Sequence, residues 1–332
     1  MKDMAKPTII VVGAGQAGLQ LVASLREARY EGRLVLVGDE SHPPYQRPPL
    51  SKGYLLDEVA LEQVNLRPAH FFNQHNIELL TGKQVVAIDR STCRVIFSDT
   101  SALTYDHLVL STGARNRLLS VPGADLQNVL YLRSLDDARS IKAQMAPGQR
   151  AVVIGAGFIG LELAASAVKH RLDVTVVELA GRPMARAISE RMSSIFVREH
   201  ENMGVKLCFH TQVARIRGEN ACVSGVETVD GRVLPADLVL VGIGVLPNVE
   251  LAVGCDLLVD DGIVVDEHLL TSDPQISAIG DVAAHANAFA AVGVASGPNR
   301  GTAIGVFSIH SRGRMQPADG RCRVAAQQQC AS

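Results

Sequence analysis

The sequence predicts an α/β chain built from two Rossmann-like, three-layer units, and three observations carry that reading. The pattern G-x-G-x-x-G occurs twice, as Gly13-Ala14-Gly15-Gln16-Ala17-Gly18 and as Gly155-Ala156-Gly157-Phe158-Ile159-Gly160. Each copy follows a short apolar run and opens an amphipathic helical pattern. Each is then followed by a second apolar run that ends on an acid. One such glycine pattern is a weak signal. The same strand–turn–helix–strand context repeated a domain's length apart is a strong one.

The elements follow in order. Residues 8–12, TIIVV, predict the first strand, LQLVASLREA the helix, and 34–37 a second strand ending at Gly38-Asp39-Glu40. Pro43 to Lys52 is proline-rich and predicts a rigid excursion. Residues 77–88 and 95–97 predict short strands of an antiparallel insertion. Residues 108–110 form a buried strand ending at Ser111-Thr112-Gly113-Ala114. The second unit repeats the scheme: strand 151–154, helix LELAASAVKH, and strand 174–177 ending at Glu178. Residues 205–209, 213–216 and 223–228 alternate like strands, with a hairpin at Asp230-Gly231. The strand 238–241 ends at Gly242-Ile243-Gly244, and runs at 262–265 and 276–279 lead to Gly280-Asp281.

The glycines name a ligand class. The first permits the tight turn, the second lets backbone approach a pyrophosphate, and the third packs helix on strand. The free N–H groups of the following helix then face the phosphates. Gly13, Gly15 and Gly18 meet these demands, as do Gly155, Gly157 and Gly160. An acid ending the second strand accepts the adenosine ribose hydroxyls and repels a 2'-phosphate. Glu178 takes that role in the second unit and favours NADH over NADPH, a preference softened by Arg182 and Arg186 nearby. In the first unit Glu40 is preferred, with Asp39 the close competitor. Asp281 is read as a holder of flavin ribityl hydroxyls, as a helix cap, or as both.

Composition excludes other classes. The 332 residues carry a net charge of -2, 47% hydrophobic residues, 4% aromatics and no Trp. That describes a globular chain of about two domains without a basic, stacking surface for nucleic acid. No run is long and apolar enough to span a membrane, and the N-terminus reads as a strand rather than a signal peptide, so the cytoplasm is expected. Cys93, Cys208, Cys222, Cys255, Cys322 and Cys330 form no C-x-x-C or C-x4-C pair, so neither a metal cluster nor a redox dithiol is expected. His42, His75 and His107 read as surface or structural residues.

These residues resemble the flavin-dependent NADH:ferredoxin reductases of bacterial oxygenase systems, within the pyridine nucleotide-disulfide oxidoreductase superfamily. Rubredoxin and putidaredoxin reductases are near relatives. The resemblance covers roughly residues 7 to 290. Its specific stretches are Gly38 to Glu40, Pro44-Tyr45-Gln46-Arg47-Pro48-Pro49-Leu50-Ser51-Lys52, Ser111 to Ala114, Leu132-Arg133, Gly155 to Glu162, Val241 to Gly244 and Gly280-Asp281. It implies FAD in the first unit and NADH in the second. It implies flavin contacts at Arg47, Lys52 and Arg133, with Pro48 beside the isoalloxazine and a Lys52–Glu162 ion pair near flavin N5. Ala17, Val85, Thr112, Gly113, Ala114, Phe158, Ile159, Arg186, Gly242, Ile243 and Gly244 complete the implied cofactor-binding set, and no metal site is implied. The partner implied is a small [2Fe-2S] ferredoxin, or a rubredoxin, met through a basic patch; the oligomeric state stays open.

The expected domains are 5–118 with 249–292 for FAD, 119–248 for NAD, and 293–332 as a divergent, poorly ordered tail. After residue 290 the resemblance stops, and the C-terminal α+β domain of the relatives is largely missing. The tail reads as a shifted frame or a truncated product. The functional expectation is a ferredoxin–NAD(+) reductase of an aromatic-ring dioxygenase or P450 system. The alternatives are another acceptor, or a non-catalytic FAD/NAD-binding chain.

Overall fold

The apolar runs on either side of each glycine turn become parallel strands buried on both faces. The computed structural model describes residues 6–285 and the backbone of two short strands at 307–309 and 315–317. The expectations for the tail lie otherwise outside the described residues. Two units emerge: one takes residues up to Pro44, Arg67–Gly113 and those from Pro247; the other takes Tyr45–Leu66 and Ala114–Leu246.

Along the chain, β1 (Thr8–Val12), α1 (Gln16–Glu27) and β2 (Arg33–Val37) come first. The excursion carries a 3-10 turn, Pro48–Ser51, and the short α2 (Leu61–Val64). Then follow α3 (His70–Gln74), β3 (Ile77–Leu80), β4 (Val85–Asp89), β5 (Arg94–Phe97), β6 (Ala102–Thr104) and β7 (His107–Leu110). The second unit resumes with β8 (Ala114–Asn116), β9 (Val129–Tyr131), α4 (Leu135–Gln144), β10 (Arg150–Ile154), α5 (Phe158–Lys169) and β11 (Asp173–Val177). It continues through α6 (Glu190–Asn202), β12 (Lys206–Cys208), β13 (Val213–Glu219), β14 (Cys222–Thr228), β15 (Val233–Pro235) and β16 (Leu238–Val241). Last come β17 (Val245–Pro247), α7 (Glu250–Val253), β18 (Ile263–Val265), β19 (Ile276–Ala278), β20 (Ala283–His285), β21 (Phe307–Ile309) and β22 (Met315–Pro317).

The first unit's main sheet has the order β19-β7-β1-β2-β3 and the second's β9-β16-β10-β11-β12, every pair parallel. The glycine-turn strand is central in both, with the crossover direction reversing beside it. That reversal is where open α/β sheets bind ligands. Each unit also carries a three-stranded antiparallel sheet, β4-β5-β6 and β13-β14-β15. The strand at Ile77–Leu80 is not part of that insertion: it pairs parallel with β2. Its apolar run meets a buried neighbour, and burial decides its place over its position in the chain.

The excursion also departs from the expected division. Tyr45–Leu66 groups with the second unit, whereas the sequence assigns all of 5–118 to the first. The reason is burial: Tyr45, Leu50, Tyr54, Leu55 and Val64 join the core formed by Ala151, Val153, Leu163, Val174, Leu238 and Leu240. Burying each Leu is worth about 1.5–3 kcal/mol. Among the described residues no helix is long and apolar enough to cross a membrane.

Candidate functional site

In the first unit the carboxyl ends of β1, β2, β7 and β19 lie on one edge, because the strands are parallel. That edge gathers the glycine turn, Asp39 and Glu40, Thr112 and Gly113, and Asp281. Gly13 has φ +113°, and a Cβ there would stand 2.1 Å from the Ser111 carbonyl oxygen. A Cβ on Gly18 would stand 2.2 Å from the Gly13 carbonyl oxygen. Around Gly15 nothing lies within 4 Å of such a Cβ. So protein packing demands the first and third glycines, and open space adjoins the second. Ser111 donates to the Gly13 carbonyl at 2.8 Å, fixing the turn. A Cβ on Gly280 would meet the Ala17 methyl at 2.9 Å, which places the Asp281 turn against the start of α1. Thr112 donates to the Asn248 carbonyl at 2.8 Å. Asp39 accepts from the Glu40 N–H at 3.1 Å. Val85 is buried on β4.

The second unit repeats the cradle. Gly155 would meet the Gly242 carbonyl oxygen at 2.5 Å and Gly160 the Gly155 carbonyl oxygen at 2.0 Å, whereas Gly157 meets only Gly242 O at 3.9 Å. Phe158 and Ile159 stand exposed on the first turn of α5, and Gly242, Ile243 and Gly244 follow β16. No side chain caps α1 or α5, and neither bears an acid in its first turn. By contrast α4 and α6 are capped by Ser134 and Ser189. The two helices behind the glycine turns therefore keep N–H groups and a positive dipole end for an anion.

Glu178 is locked to its own turn. One carboxylate oxygen accepts from the Ala156 N–H at 2.7 Å and the other from the Ala180 N–H at 2.8 Å. Of the two arginines expected nearby, Arg182 is committed to structure: it donates to the carbonyls of Ile188 and Ala185 and to the Ser193 hydroxyl. Arg186 is exposed.

The excursion brings a second cluster to α5. Lys52 Nζ lies 2.8 Å from Glu162 Oε1. The pair is only partly shielded, with side-chain exposures of 52% and 29%, so Coulomb attraction contributes about 0–1 kcal/mol. Ser51, buried, donates to the other carboxylate oxygen at 2.5 Å. Such charge-assisted bonds are worth about 1.5–3 kcal/mol, so the hydroxyl outweighs the ammonium in fixing Glu162. Ser166, one turn further along α5, donates to the Ser51 carbonyl at 2.6 Å. Arg47 donates to the Arg133 carbonyl and to the Tyr45 hydroxyl, its guanidinium 5.4 Å from the Tyr45 ring centre. Pro48 opens the 3-10 turn and Ala114 is buried at the start of β8. Ser51 and Ser166 were missed by sequence reasoning: a Ser in a proline turn and a Ser in a helix give no distinct signal.

Cys93, Cys208, Cys222 and Cys255 are free thiols. Residues 7–298 match the family described as pyridine nucleotide-disulphide oxidoreductase. The chain belongs to that family. It is similar to rhodocoxin reductase of Rhodococcus erythropolis, at 53% identity over 84% of this chain and 65% of that one. A ferredoxin reductase structure from Rhodopseudomonas palustris superposes with TM-score 0.82 at 48% identity, covering 84% and 69% of the two chains. The reductase of a covalent putidaredoxin reductase–putidaredoxin complex gives 0.84 at 42%, covering 86% and 70%. The chain thus spans about two thirds of the length of these family members. Both glycine cradles and the Lys52–Glu162 cluster fall inside the matched residues.

Proposed function

We propose that this chain is an NADH:ferredoxin reductase that passes electrons from NADH through FAD to a small iron–sulfur protein of an oxygenase system. The observation that carries this is the duplicated cradle: two uncapped helix N-termini, each behind a glycine whose Cβ position opens on space. Two dinucleotides suit two such cradles, and the donor sets fit them. Gly13 to Gly18, Glu40 or Asp39, Thr112 and Asp281 would hold FAD; Gly155 to Gly160, Glu178 and Gly242 to Gly244 would hold NADH.

FAD, when bound, supplies the conversion of a two-electron hydride donor into one-electron steps. The protein's part is position and charge. The backbone N–H groups of α1 and α5 bind pyrophosphate, and Glu178 selects the ribose without a 2'-phosphate. Lys52, kept charged-paired by Glu162, presents a cation where negative charge develops. The similarity to reductases named for rhodocoxin and putidaredoxin supports an iron–sulfur acceptor, and the cytoplasm is the proposed location.

The test is direct. The full chain is purified, reconstituted with FAD and titrated anaerobically with NADH. Bleaching of the bound-flavin bands, followed by reduction of an added [2Fe-2S] ferredoxin, is expected. A chain that holds no flavin overturns the reading and leaves a non-catalytic nucleotide binder; transfer to rubredoxin alone replaces the acceptor.

A further inference from the structure

We propose that Ser51 is a positioning residue whose hydroxyl sets the carboxylate of Glu162 so that Lys52 is held in one place; this rests on the functional reading above. The geometry divides the carboxylate between two donors. Oε2 takes the Ser51 hydroxyl at 2.5 Å and Oε1 takes the Lys52 ammonium at 2.8 Å. The Ser51 hydroxyl has one proton and two acceptors in reach. The Pro48 carbonyl stands at 3.4 Å, so the carboxylate holds the proton. Ser51 is itself immobile. It is 1% exposed, ends a 3-10 turn begun by two prolines, and its carbonyl is held by Ser166 from the same face of α5. Glu162 and Ser166 are four apart, so α5 grips this one residue by its side chain and by its backbone.

The asymmetry matters because the ion pair is the exposed half of the cluster. Lys52 has four rotatable bonds and a strongly hydrated head, and an open ion pair does not fix such a chain. A buried hydroxyl bonded to Glu162 gives the ammonium a stationary partner. Ser51 need touch neither nucleotide for this to act.

The experiment compares Ser51→Ala and Ser51→Cys with the wild type in two ways. In the apo chain, acetic anhydride labelling of Lys52 is followed by peptide mass spectrometry. Both variants should label Lys52 about threefold faster, because the pair loosens, while other lysines keep their rates. In the reconstituted chain, stopped-flow flavin reduction at saturating NADH should slow about tenfold with an unchanged Kd for NADH. The effect must pass through the carboxylate. In a Glu162→Gln background, Ser51→Ala should change neither readout further.

An unchanged Lys52 labelling rate in both variants overturns the proposal. So does an equal slowing in the Glu162→Gln background, which would mark Ser51 as packing alone. The cysteine keeps the volume with a weak donor and carries the test if the alanine variant does not fold. If NADH never reduces the wild type, the functional reading falls, and the labelling arm still decides the positioning role.

Discussion

Two glycines of one turn, three residues apart, should fail in opposite ways when given a methyl group. At Gly160 a Cβ would stand 2.0 Å from the Gly155 carbonyl oxygen, so α5 must move off its turn by more than an ångström. Overpacking of backbone against backbone costs about 3 kcal/mol. For a unit of this size that lowers Tm by roughly 6–12 °C. At Gly157 the backbone has φ −78° and ψ −176°, which any residue adopts, and the Cβ meets only Gly242 O at 3.9 Å. Removing glycine's freedom from the unfolded chain should even stabilise by about 0.4–1 kcal/mol. The cost appears in binding, because the methyl occupies the space where pyrophosphate approaches. Losing one or two N–H contacts to phosphate weakens NADH by about 10- to 100-fold. Calorimetry of the apo chain and fluorescence titration with NADH read the two effects separately. Gly157→Ala with wild-type NADH affinity, or with a loss of Tm matching that of Gly160→Ala, refutes the reasoning.

Glu178→Gln replaces one of two acceptor oxygens facing the N–H groups of Ala156 and Ala180. It should cost about 1–3 kcal/mol in the apo chain and shift the NADH:NADPH ratio of kcat/KM toward NADPH; an unmoved ratio refutes the specificity role. His107 is buried against the Ser277 hydroxyl at 2.9 Å, and desolvation pushes its imidazole down to about 4. Between the unfolded value near 6.5 and that folded value, only the unfolded chain takes up the proton. Stability is therefore complete above about pH 6.5 and falls by about 3 kcal/mol as the pH drops toward 4. Urea melts across that window should flatten in His107→Gln, and an equal slope in the variant would place the titration elsewhere. Ser111→Ala removes the donor to the Gly13 carbonyl and should speed flavin loss on dilution with NADH affinity unchanged; equal effects on both nucleotides would sink it.

The parts legible in the sequence are those set by local rules. The glycine turns, the flanking strands and the acid at Glu178 are each fixed by spacing within about thirty residues, and the fold repeats them as written. The excursion is different. Its prolines announce a rigid turn, but its allegiance depends on where Leu50 and Leu55 are buried, and that partner surface lies a hundred residues away in the chain. Ile77–Leu80 is misread for the same reason: a four-residue strand with three apolar residues carries no mark of parallel or antiparallel pairing. The sequence reading assigns no helix at α4 or α6 although Ser134 and Ser189 cap them, because both segments are predominantly polar and lack the dense apolar runs of α1 and α5. Ser51 is the case inside the candidate site. Serine in a proline turn signals only a turn, and its hydroxyl meets a carboxylate only when the fold brings Glu162 to it.

The duplication also shows one turn locked in two ways. In the first unit the lock is a hydroxyl, Ser111 donating to the Gly13 carbonyl; in the second, the residue in that place is Gly242, and the lock is the Glu178 carboxylate on the Ala156 N–H. The hydroxyl lock lies beneath the turn and is buried, so a ligand need not disturb it. The carboxylate lock is half-buried, and under the proposed function its oxygens are also those that a ribose would approach. A nucleotide arriving at the second unit would therefore share an acceptor with the loop, although each carboxylate oxygen, holding one N–H, keeps a lone pair for a ribose hydroxyl. In the first unit the turn is held by other means, while Asp39 accepts from the Glu40 N–H. A ligand would therefore meet a buried hydroxyl lock that stands apart from it in the first unit and a carboxylate shared with the loop in the second.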